Sequence, residues 1–363
     1  MIELCALDSG EMQDLMREMG QSAFRGGQIA SWVARSAEIG EMTNLPLELR
    51  SALAQRVVAN PTAIDSVRVS RLDGTEKYLY RLTDGNLIEG VLMRYHYGNT
   101  LCLSTQVGCR MGCAFCASTL EGCVRSLSAG EMLGQILAVN RRLAGNCVTR
   151  ADKKAGDRVG NVVLMGSGEP FDNYDQVVRF LRLATDEKGL NLSARGISLS
   201  TCGLVDRIYR FADEGIPVTL SLSLHAPNDE IRKRLMPIAN RYTIDETIEA
   251  CRAWVRKTGR RVVFEYALVD GVNTDLRCAD ELAHRLRGMQ CHVNLIPLNG
   301  VKERNLITPS EQTVTAFMER LRQRHISVTR RRGMGEDIEG ACGQLRRRTL
   351  NGTADGGRSD LTE

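Results

Sequence analysis

The sequence predicts an α/β fold, an open partial barrel of six βα units preceded by a small helical domain and a β meander. From residue 100 onwards, short apolar runs alternate with helical patterns, which is typical of parallel strands joined by crossover helices. Before residue 100 the apolar spacing changes from a helical period to strict alternation. We expect domains at 1–58, 59–99 and 100–348, followed by a disordered polar tail at 349–363.

The first domain is predicted to be helical. Apolar residues recur at i, i+3 and i+4 in three segments, 10–19, 27–36 and 45–54. Phe24, Arg25 and Trp32 could form a binding surface, but large aromatic residues such as Phe24 and Trp32 in so small a module are more typical of its core. We therefore expect both to be buried.

Residues 59–99 are predicted to form the meander. Three alternating segments are separated by Asp73-Gly74 and Asp84-Gly85, which are hairpin turn signals. Glu89 lies inside an otherwise apolar strand. A carboxylate there usually faces solvent at an edge, and the alternative is a general base.

The barrel strands are expected at 100–105, 161–165, 196–200, 218–224, 262–268 and 292–296, with a last short strand at 325–329. Several helices between them have clear start signals. Ser128 with Glu131 and Thr243 with Glu246 match the capping box, and Pro309 is expected at the first position of the last helix.

Composition argues against a membrane or secreted protein. No apolar run approaches the ~18 residues of a membrane helix, and the N-terminal segment has no secretory signal pattern. Twelve cysteines indicate a reducing compartment, with metal-binding or catalytic use, so we expect a cytoplasmic protein.

The net charge of +4 does not point to nucleic acid. The arginines at 330–332 and 346–348 could neutralise phosphates or form a solvated basic face.

Three cysteines, Cys109, Cys113 and Cys116, follow the first barrel strand at C-x3-C-x2-C spacing. Thiolates hold iron–sulfur clusters, and a four-iron cluster usually takes four of them. Three close thiols would leave one iron open to bind and activate a substrate, as an open metal position does elsewhere. A zinc knuckle is the alternative, but it requires four ligands, and Cys123 has no partner pair behind it.

This motif and its surroundings resemble the radical S-adenosylmethionine (SAM) enzymes and, among them, the RlmN/Cfr family of RNA adenine methyltransferases. The resemblance extends from about Gly10 to Leu345. The segments that carry it are Leu101–Cys109, Met165–Phe171, Ser223–Asn228, Arg234–Pro237 and Asp337–Leu345. It implies a radical SAM partial barrel, a [4Fe–4S] cluster held by Cys109, Cys113 and Cys116, and SAM as the second cofactor.

Small and polar residues follow the ends of the predicted strands, where barrel enzymes place their sites. A single Ser or His at a strand end is usually a satisfied polar group, but several coincide here. The resemblance implies that they line the SAM pocket, with Glu169 receiving the amino group of SAM. The expected SAM-binding residues are Gly168, Glu169, Ser200, Ser223, Leu224, His225 and Asn299.

Two further cysteines, Cys102 in the first strand and Cys342 in a glycine-rich loop, match the reactive pair of the family. The resemblance implies that Cys342 takes a methyl group from SAM and carries it to an electrophilic adenine carbon. Glu89 would remove the ring proton, and Cys102 would release the product by forming a disulfide with Cys342. The cysteines expected to be inert are Cys5, Cys123, Cys147, Cys202, Cys251, Cys278 and Cys291.

We therefore expect a radical SAM methyltransferase that acts on carbon 2 of an adenosine in 23S rRNA, with tRNA as a second expected substrate. The triplet Gly168-Glu169-Pro170 resembles the RlmN branch, and the Cfr branch, which methylates carbon 8, is the alternative. A non-methylating iron–sulfur protein that binds RNA or transfers electrons is an alternative of another class, against which Cys102 and Cys342 argue. We expect RNA and an electron donor such as flavodoxin or ferredoxin as partners, no membrane, and a monomer.

Overall fold

The structure is a computed structural model that describes residues 1–145, 158–297 and 306–338. The helices in these ranges are α1 (Ser9–Glu18), α2 (Phe24–Val33), α3 (Leu47–Arg56), α4 (Ala129–Leu143), α5 (Tyr174–Thr185), α6 (Val205–Asp213), α7 (Asp229–Leu235), α8 (Ile244–Thr258), α9 (Leu276–Leu286) and α10 (Glu311–Gln323). The strands are β1 (Ile2–Glu3), β2 (Val57–Val58), β3 (Thr62–Val69), β4 (Glu76–Leu82), β5 (Leu87–Tyr95), β6 (Gly98–Cys102), β7 (Gln106–Gly108), β8 (Cys123–Ser126), β9 (Val159–Leu164), β10 (Ile197–Thr201), β11 (Thr219–Ser223), β12 (Val262–Leu268), β13 (Cys291–Pro297) and β14 (Val328–Arg330).

The first three helices enclose an apolar cluster of their own, and the short parallel pair β1–β2 joins the two ends of this region. Trp32 belongs to the cluster, and its indole N–H donates to Asn44 Oδ1 at 2.6 Å. The prediction for Phe24 is wrong, because its side chain is 60% exposed. Phe24 lies at the first position of α2 and carries the Arg25 guanidinium 5.1 Å above its ring.

The predicted α/β fold is confirmed. Across the described ranges, one sheet contains ten strands in the order β3-β4-β5-β6-β9-β10-β11-β12-β13-β14. The strands from β6 to β14 are parallel, and β3 to β6 are antiparallel to their neighbours. The meander therefore continues the barrel sheet through the β5–β6 pair.

The two faces of this sheet differ in chemistry. Leu199 and Leu222 belong to the large apolar core that also contains residues of α4, α5, α6, α8, α9 and α10. Because side chains alternate along a strand, Ser200 and Ser223 project from the opposite face. We call this second face the interior face, and it carries the candidate site.

The helix start signals are mostly confirmed. Ser128 with Glu131 and Thr243 with Glu246 form capping boxes at α4 and α8. The last helix differs, because Ser310 is its N-cap and Pro309 therefore precedes it. The predicted tail at 349–363 lies outside the described residues.

Candidate active site

The loop with the cysteine triplet is held at both ends by backbone hydrogen bonds. Cys109 N–H donates to the Gly122 carbonyl at 2.9 Å, beside the β7–β8 ribbon, and Ala114 N–H donates to the Leu235 carbonyl at 2.8 Å. Gly108 has a φ of +80°, and a Cβ there would lie 2.0 Å from Gly122 O. Only glycine fits this crossing, so the sequence Gly108-Cys109 determines how the loop begins.

The three thiols lie within electrostatic reach of one another on this loop. Burial, with a smaller effect of the neighbouring Cys116, raises the pKa of Cys109 to about 12. Burial, with Cys116 and Cys109, also raises the pKa of Cys113. Three thiols on one loop would suit a cluster with an open iron, in which each thiolate binds a different iron atom, and binding iron would release their protons. Among the described residues, no three His, Cys, Asp or Glu side chains are placed to hold one metal ion together.

The loop after β9 packs against the backbone that leads from β6 into the cysteine loop. Gly166 N–H donates to Leu103 O at 3.0 Å, and a Cβ on Gly166 would lie 2.5 Å from that oxygen. At Gly168, where φ is +113°, a Cβ would lie 2.6 Å from Thr105 Oγ1. Both glycines are therefore required for close approach of the two segments.

Glu169 ends this loop as a buried carboxylate. Its Oε1 accepts from Phe171 N–H at 3.0 Å and its Oε2 from Cys202 N–H at 2.7 Å. Burial raises its pKa, and these backbone donors oppose the rise. The charge of Glu169 also raises the pKa of Cys109 and Cys113, so the carboxylate lies beside the cysteine loop. Each carboxylate oxygen can accept a second hydrogen bond, which leaves room for a ligand amino group.

The structure brings Ser200 and Ser223 together on the interior face. Thr201 pairs in register with Leu222 and Ser200 with Ser221 across β10 and β11, and the hydroxyls of Ser200 and Ser223 lie 3.4 Å apart. Leu224 follows β11, is fully buried, and donates its N–H to Glu265 O at 3.1 Å.

His225 lies between the serine pair and the cysteine loop. Its Nδ1 accepts from Ala267 N–H at 2.8 Å, and its ring packs edge-on against Phe115 with centroids 4.6 Å apart. Burial, with a smaller effect of Arg232, lowers the pKa of His225 to about 3. Its φ of +56° is rare for a residue with a side chain, and strain of this kind is frequent at functional sites.

Cys102 and Glu89 lie on the interior face of neighbouring strands. Cys102 pairs in register with Val91 of β5 and Val163 of β9, and period-two alternation places Glu89 on the same face as Val91. Both side chains are 3% exposed. Lys77 of β4, which is fully buried, extends to Glu89.

The end of the described chain crosses this region. Met334 packs on the cluster of Val91, Met93 and Cys102. Three residues later, Asp337 accepts from Ser70 Oγ at 2.6 Å and from Arg71 N–H at 2.8 Å. The chain that leads to Cys342 is therefore attached to the β3–β4 turn.

Two predicted site residues, Asn299 and Cys342, lie outside the described residues, as do Cys147 and the arginines at 346–348. The other predicted residues fall into two groups. One group surrounds the cysteine loop with Glu169 and His225, and the other contains Cys102 and Glu89.

Comparison with known proteins finds relatives that match nearly the whole chain. Residues 103–286 match the family model described as the Radical SAM superfamily, and residues 2–59 match the Ribosomal RNA large subunit methyltransferase N-terminal domain. The "Probable dual-specificity RNA methyltransferase RlmN" of Alkaliphilus oremlandii is 50% identical over 350 residues, which cover 96% of this chain and 98% of that protein. The chain belongs to the RlmN family of radical SAM RNA methyltransferases.

A second RlmN relative, from Lachnospira eligens, has the same description and is 48% identical over 354 residues, which cover 96% of this chain and 97% of that protein. The crystal structure of a radical SAM methyltransferase from Sphaerobacter thermophilus superimposes with a TM-score of 0.88 at 43% identity, covering 95% of this chain and 99% of that one. As a radical SAM protein, the RlmN-family chain uses a [4Fe–4S] cluster and SAM, and its substrate is RNA. The described helices include none of the length and apolarity that crossing a membrane requires.

Four buried residues that contact or adjoin the predicted site residues were not singled out from the sequence. Lys77 and Arg232 are completely buried cations, and Glu265 is a buried carboxylate that accepts from Asn294 Nδ2 at 2.8 Å. Cys202, which we expected to be inert, places its backbone between Glu169 and Arg232. The signal for Glu265 was present, since it is a lone Glu in an apolar strand, as Glu89 is.

Proposed function

We propose that this RlmN-family protein methylates carbon 2 of an adenosine in 23S rRNA and in tRNA. The observation that carries the proposal is the shared interior face of Glu89 and Cys102, with Met334, eight residues before Cys342, packed on the cluster that contains Cys102. The matched N-terminal model, named for the large ribosomal subunit RNA, supports the rRNA substrate. The dual specificity in the description of the relatives supports a second class of RNA.

We assign the cluster to Cys109, Cys113 and Cys116, and the SAM pocket to Gly168, Glu169, Ser200, Ser223, Leu224, His225 and Asn299. When bound, the cluster and SAM supply a radical that activates a methyl group. Glu169 is suited to receive the ammonium group of SAM because its carboxylate is buried and partly unsatisfied by its two backbone donors. Ser200 and Ser223 are adjacent hydroxyls that can orient a second polar group of the same ligand.

In this proposal the remaining chemistry belongs to three side chains. Cys342 is the covalent carrier, because its sulfur can hold the one-carbon unit as S-methylcysteine and deliver it to an electrophilic ring carbon. Glu89 accepts the proton of that carbon, and the unpaired electron of the adduct would return to the oxidised cluster. Cys102 then attacks the Cys342 sulfur, so that an S–S bond forms, the S–C bond breaks, and the carbon leaves with the electron pair and takes up a proton.

The chain length agrees with this division of roles. Five residues separate Cys342 from the anchored Asp337, and an extended chain spans at most about 3.6 Å per residue, or roughly 18 Å. Covalent geometry therefore limits the Cα of Cys342 to that distance from the Cα of Asp337. We further propose a cytoplasmic monomer that receives electrons from flavodoxin or ferredoxin.

The test is nucleoside mass spectrometry of rRNA and tRNA after incubation with the reconstituted protein, SAM and a reductant. We expect 2-methyladenosine in both RNAs with the wild type and with Cys278→Ala, a buried cysteine of α9 outside the site. Cys342→Ala should form none, and Cys102→Ala should leave RNA covalently attached to the protein. Methylation at carbon 8 would assign the protein to the other branch of the family, and methylation by Cys342→Ala would refute the covalent mechanism.

A further inference from the structure

A buried arginine without sufficient partners lies next to the cysteine loop. Arg232, on α7, has no exposed surface, and its Nη2 donates to Cys202 O at 2.7 Å. Its Nε and Nη1 have no hydrogen-bond partner among the described residues. The charge of Asp229 acts on Arg232 without a hydrogen bond, since Asp229 Oδ1 accepts from Ile244 N–H. A buried charge with unsatisfied donors is costly, so a native structure that keeps one normally provides a counter-charge.

The position of Arg232 indicates where that counter-charge lies. The end of α7 is joined to the cysteine loop, because Ala114 N–H donates to Leu235 O at 2.8 Å and a Cβ on Gly112 would lie 3.2 Å from Pro237 Cγ. The charge of Arg232 acts on Cys113, where it opposes the effect of burial on the thiol. It also acts on Cys202, whose backbone N–H is bound by Glu169.

A cluster with three thiolates needs a positive charge of this kind. A [4Fe–4S] core of charge 2+ with three thiolates has one net negative charge, and one-electron reduction adds a second. The potential of such a cluster depends on net charge, on hydrogen bonds to sulfur and on solvent exposure. A fixed cation in a region without water acts strongly on the added electron, because the local dielectric is low.

We propose that Arg232 is the buried counter-charge of the iron–sulfur cluster and raises its reduction potential. The guanidinium thus favours the one-electron reduction of the cluster by an external donor such as flavodoxin or, in the experiment, dithionite. The inference rests on the proposed ligand role of Cys109, Cys113 and Cys116.

The experiment compares Arg232→Met and Arg232→Lys with the wild type after anaerobic reconstitution. A redox titration followed by electron paramagnetic resonance gives the cluster potential, and iron and sulfide contents give its occupancy. We expect Arg232→Met to lower the equilibrium constant for reduction about tenfold, which is about 59 mV for a one-electron couple. Arg232→Lys should restore most of this shift because it keeps the charge.

Arg260→Met is the matched control. Arg260 is partly buried, and its Nε likewise has no hydrogen-bond partner among the described residues. It donates to Thr219 at the start of β11, which is the opposite end of the strands from the site. The reduction potential of the cluster in Arg260→Met should equal that of the wild type. SAM binding to the same variants is titrated as well, which separates an effect on the cluster potential from an effect on SAM affinity.

An unchanged potential in Arg232→Met at full iron content would overturn the inference, and a loss of SAM affinity at unchanged potential would assign the guanidinium to the SAM carboxylate instead. If Arg232→Met loses iron while Arg232→Lys keeps it, the charge is required for the cluster and the inference stands. Loss of iron from both would show a purely structural role. A wild-type protein that holds no cluster would instead refute the ligand assignment, which separates the two failures.

Discussion

Lys77 Nζ lies 3.2 Å from Glu89 Oε2, and the two side chains are 1% and 3% exposed. They extend from neighbouring antiparallel strands on the interior face, where Leu79 pairs in register with Glu89 and Lys77 with Val91. The ammonium group is thus a diagonal neighbour of the carboxylate that we propose as the base. This ion pair makes both charges tolerable inside the sheet.

Removing one partner of this pair should destabilise the protein. Lys77→Met leaves Glu89 as a buried carboxylate without its ammonium partner, a change that typically costs about 3–5 kcal/mol. The double variant Lys77→Met/Glu89→Leu should recover most of that loss, because replacing a whole buried pair by apolar residues is close to neutral. Urea denaturation measures both free energies of unfolding, and the double variant should form no methyladenosine.

The control for this prediction is Arg81, on the same strand. Arg81 bonds Asp65 at 2.6 Å with 52% of its side chain exposed, and Arg81→Met should change the free energy of unfolding by less than about 1 kcal/mol. If the double variant is as unstable as Lys77→Met, the loss of stability does not come from an unpaired Glu89 carboxylate.

The iron content of alanine variants should distinguish Cys123 from the three proposed ligands. Cys123 is half-buried in β8, opposite Gly108, and its charge raises the pKa of Cys109, so it lies near the cysteine loop. We expect Cys113→Ala to lose most of its iron and visible absorbance after reconstitution, and Cys123→Ala to retain both. Iron loss from Cys123→Ala would indicate a site with four thiols and would argue against an open iron.

The parallel strands and the strand-end residues could be predicted from the sequence because both follow from local patterns. Apolar runs mark buried strands, and the residue after each run necessarily reaches the same edge of a parallel sheet. This is why Ser200 and Ser223 meet. Phe24 could not be placed in this way, because a helical pattern does not show where the helix begins.

The contacts that assemble the site could not be predicted, because they depend on packing between distant segments. Arg232 lies in a helix whose charged residues look solvent-exposed in the sequence, and only the packing of α7 on the cysteine loop buries it. Lys77 is a partial exception. The Asp84-Gly85 turn determines the hairpin register, and the register makes Lys77 and Glu89 diagonal neighbours.

The stability of the protein should depend on pH through His225. Burial lowers its pKa to about 3, whereas an unfolded His has a pKa near 6.5. Below pH 6.5 the unfolded state therefore binds a proton that the folded state does not, and the stability contributed by His225 falls as pH falls. Protonation of Nδ1 would also break its bond from Ala267 N–H.

We expect the free energy of unfolding to lose up to about 1.4 kcal/mol per pH unit below pH 6.5 through this one group. His225→Gln, whose amide oxygen can accept from the same N–H, should remove that part of the slope. Urea denaturation of both proteins between pH 5 and pH 6.5 isolates the difference, since the buried carboxylates are common to the two. Parallel slopes would mean that folding does not lower the pKa of His225.

Asp337 should control how readily Cys342 reaches Cys102. It binds Ser70 Oγ and Arg71 N–H, while Asp73 accepts from Gly335 N–H at 2.9 Å, so two carboxylates attach the C-terminal segment to the β3–β4 turn. The bonds from Ser70 and Arg71 lower the pKa of Asp337, which shows that the turn favours its ionised form.

In the purified full-length protein, we expect mild oxidation to form the Cys102–Cys342 disulfide several-fold more slowly in Asp337→Ala. Asp337→Asn should be intermediate, because one amide oxygen can replace only one of two acceptors. Asp280→Ala, which removes an aspartate that binds Arg324 between α9 and α10, should oxidise at the wild-type rate. Equal rates in all four proteins, measured by mass spectrometry of the alkylated peptides, would show that the attachment does not position Cys342.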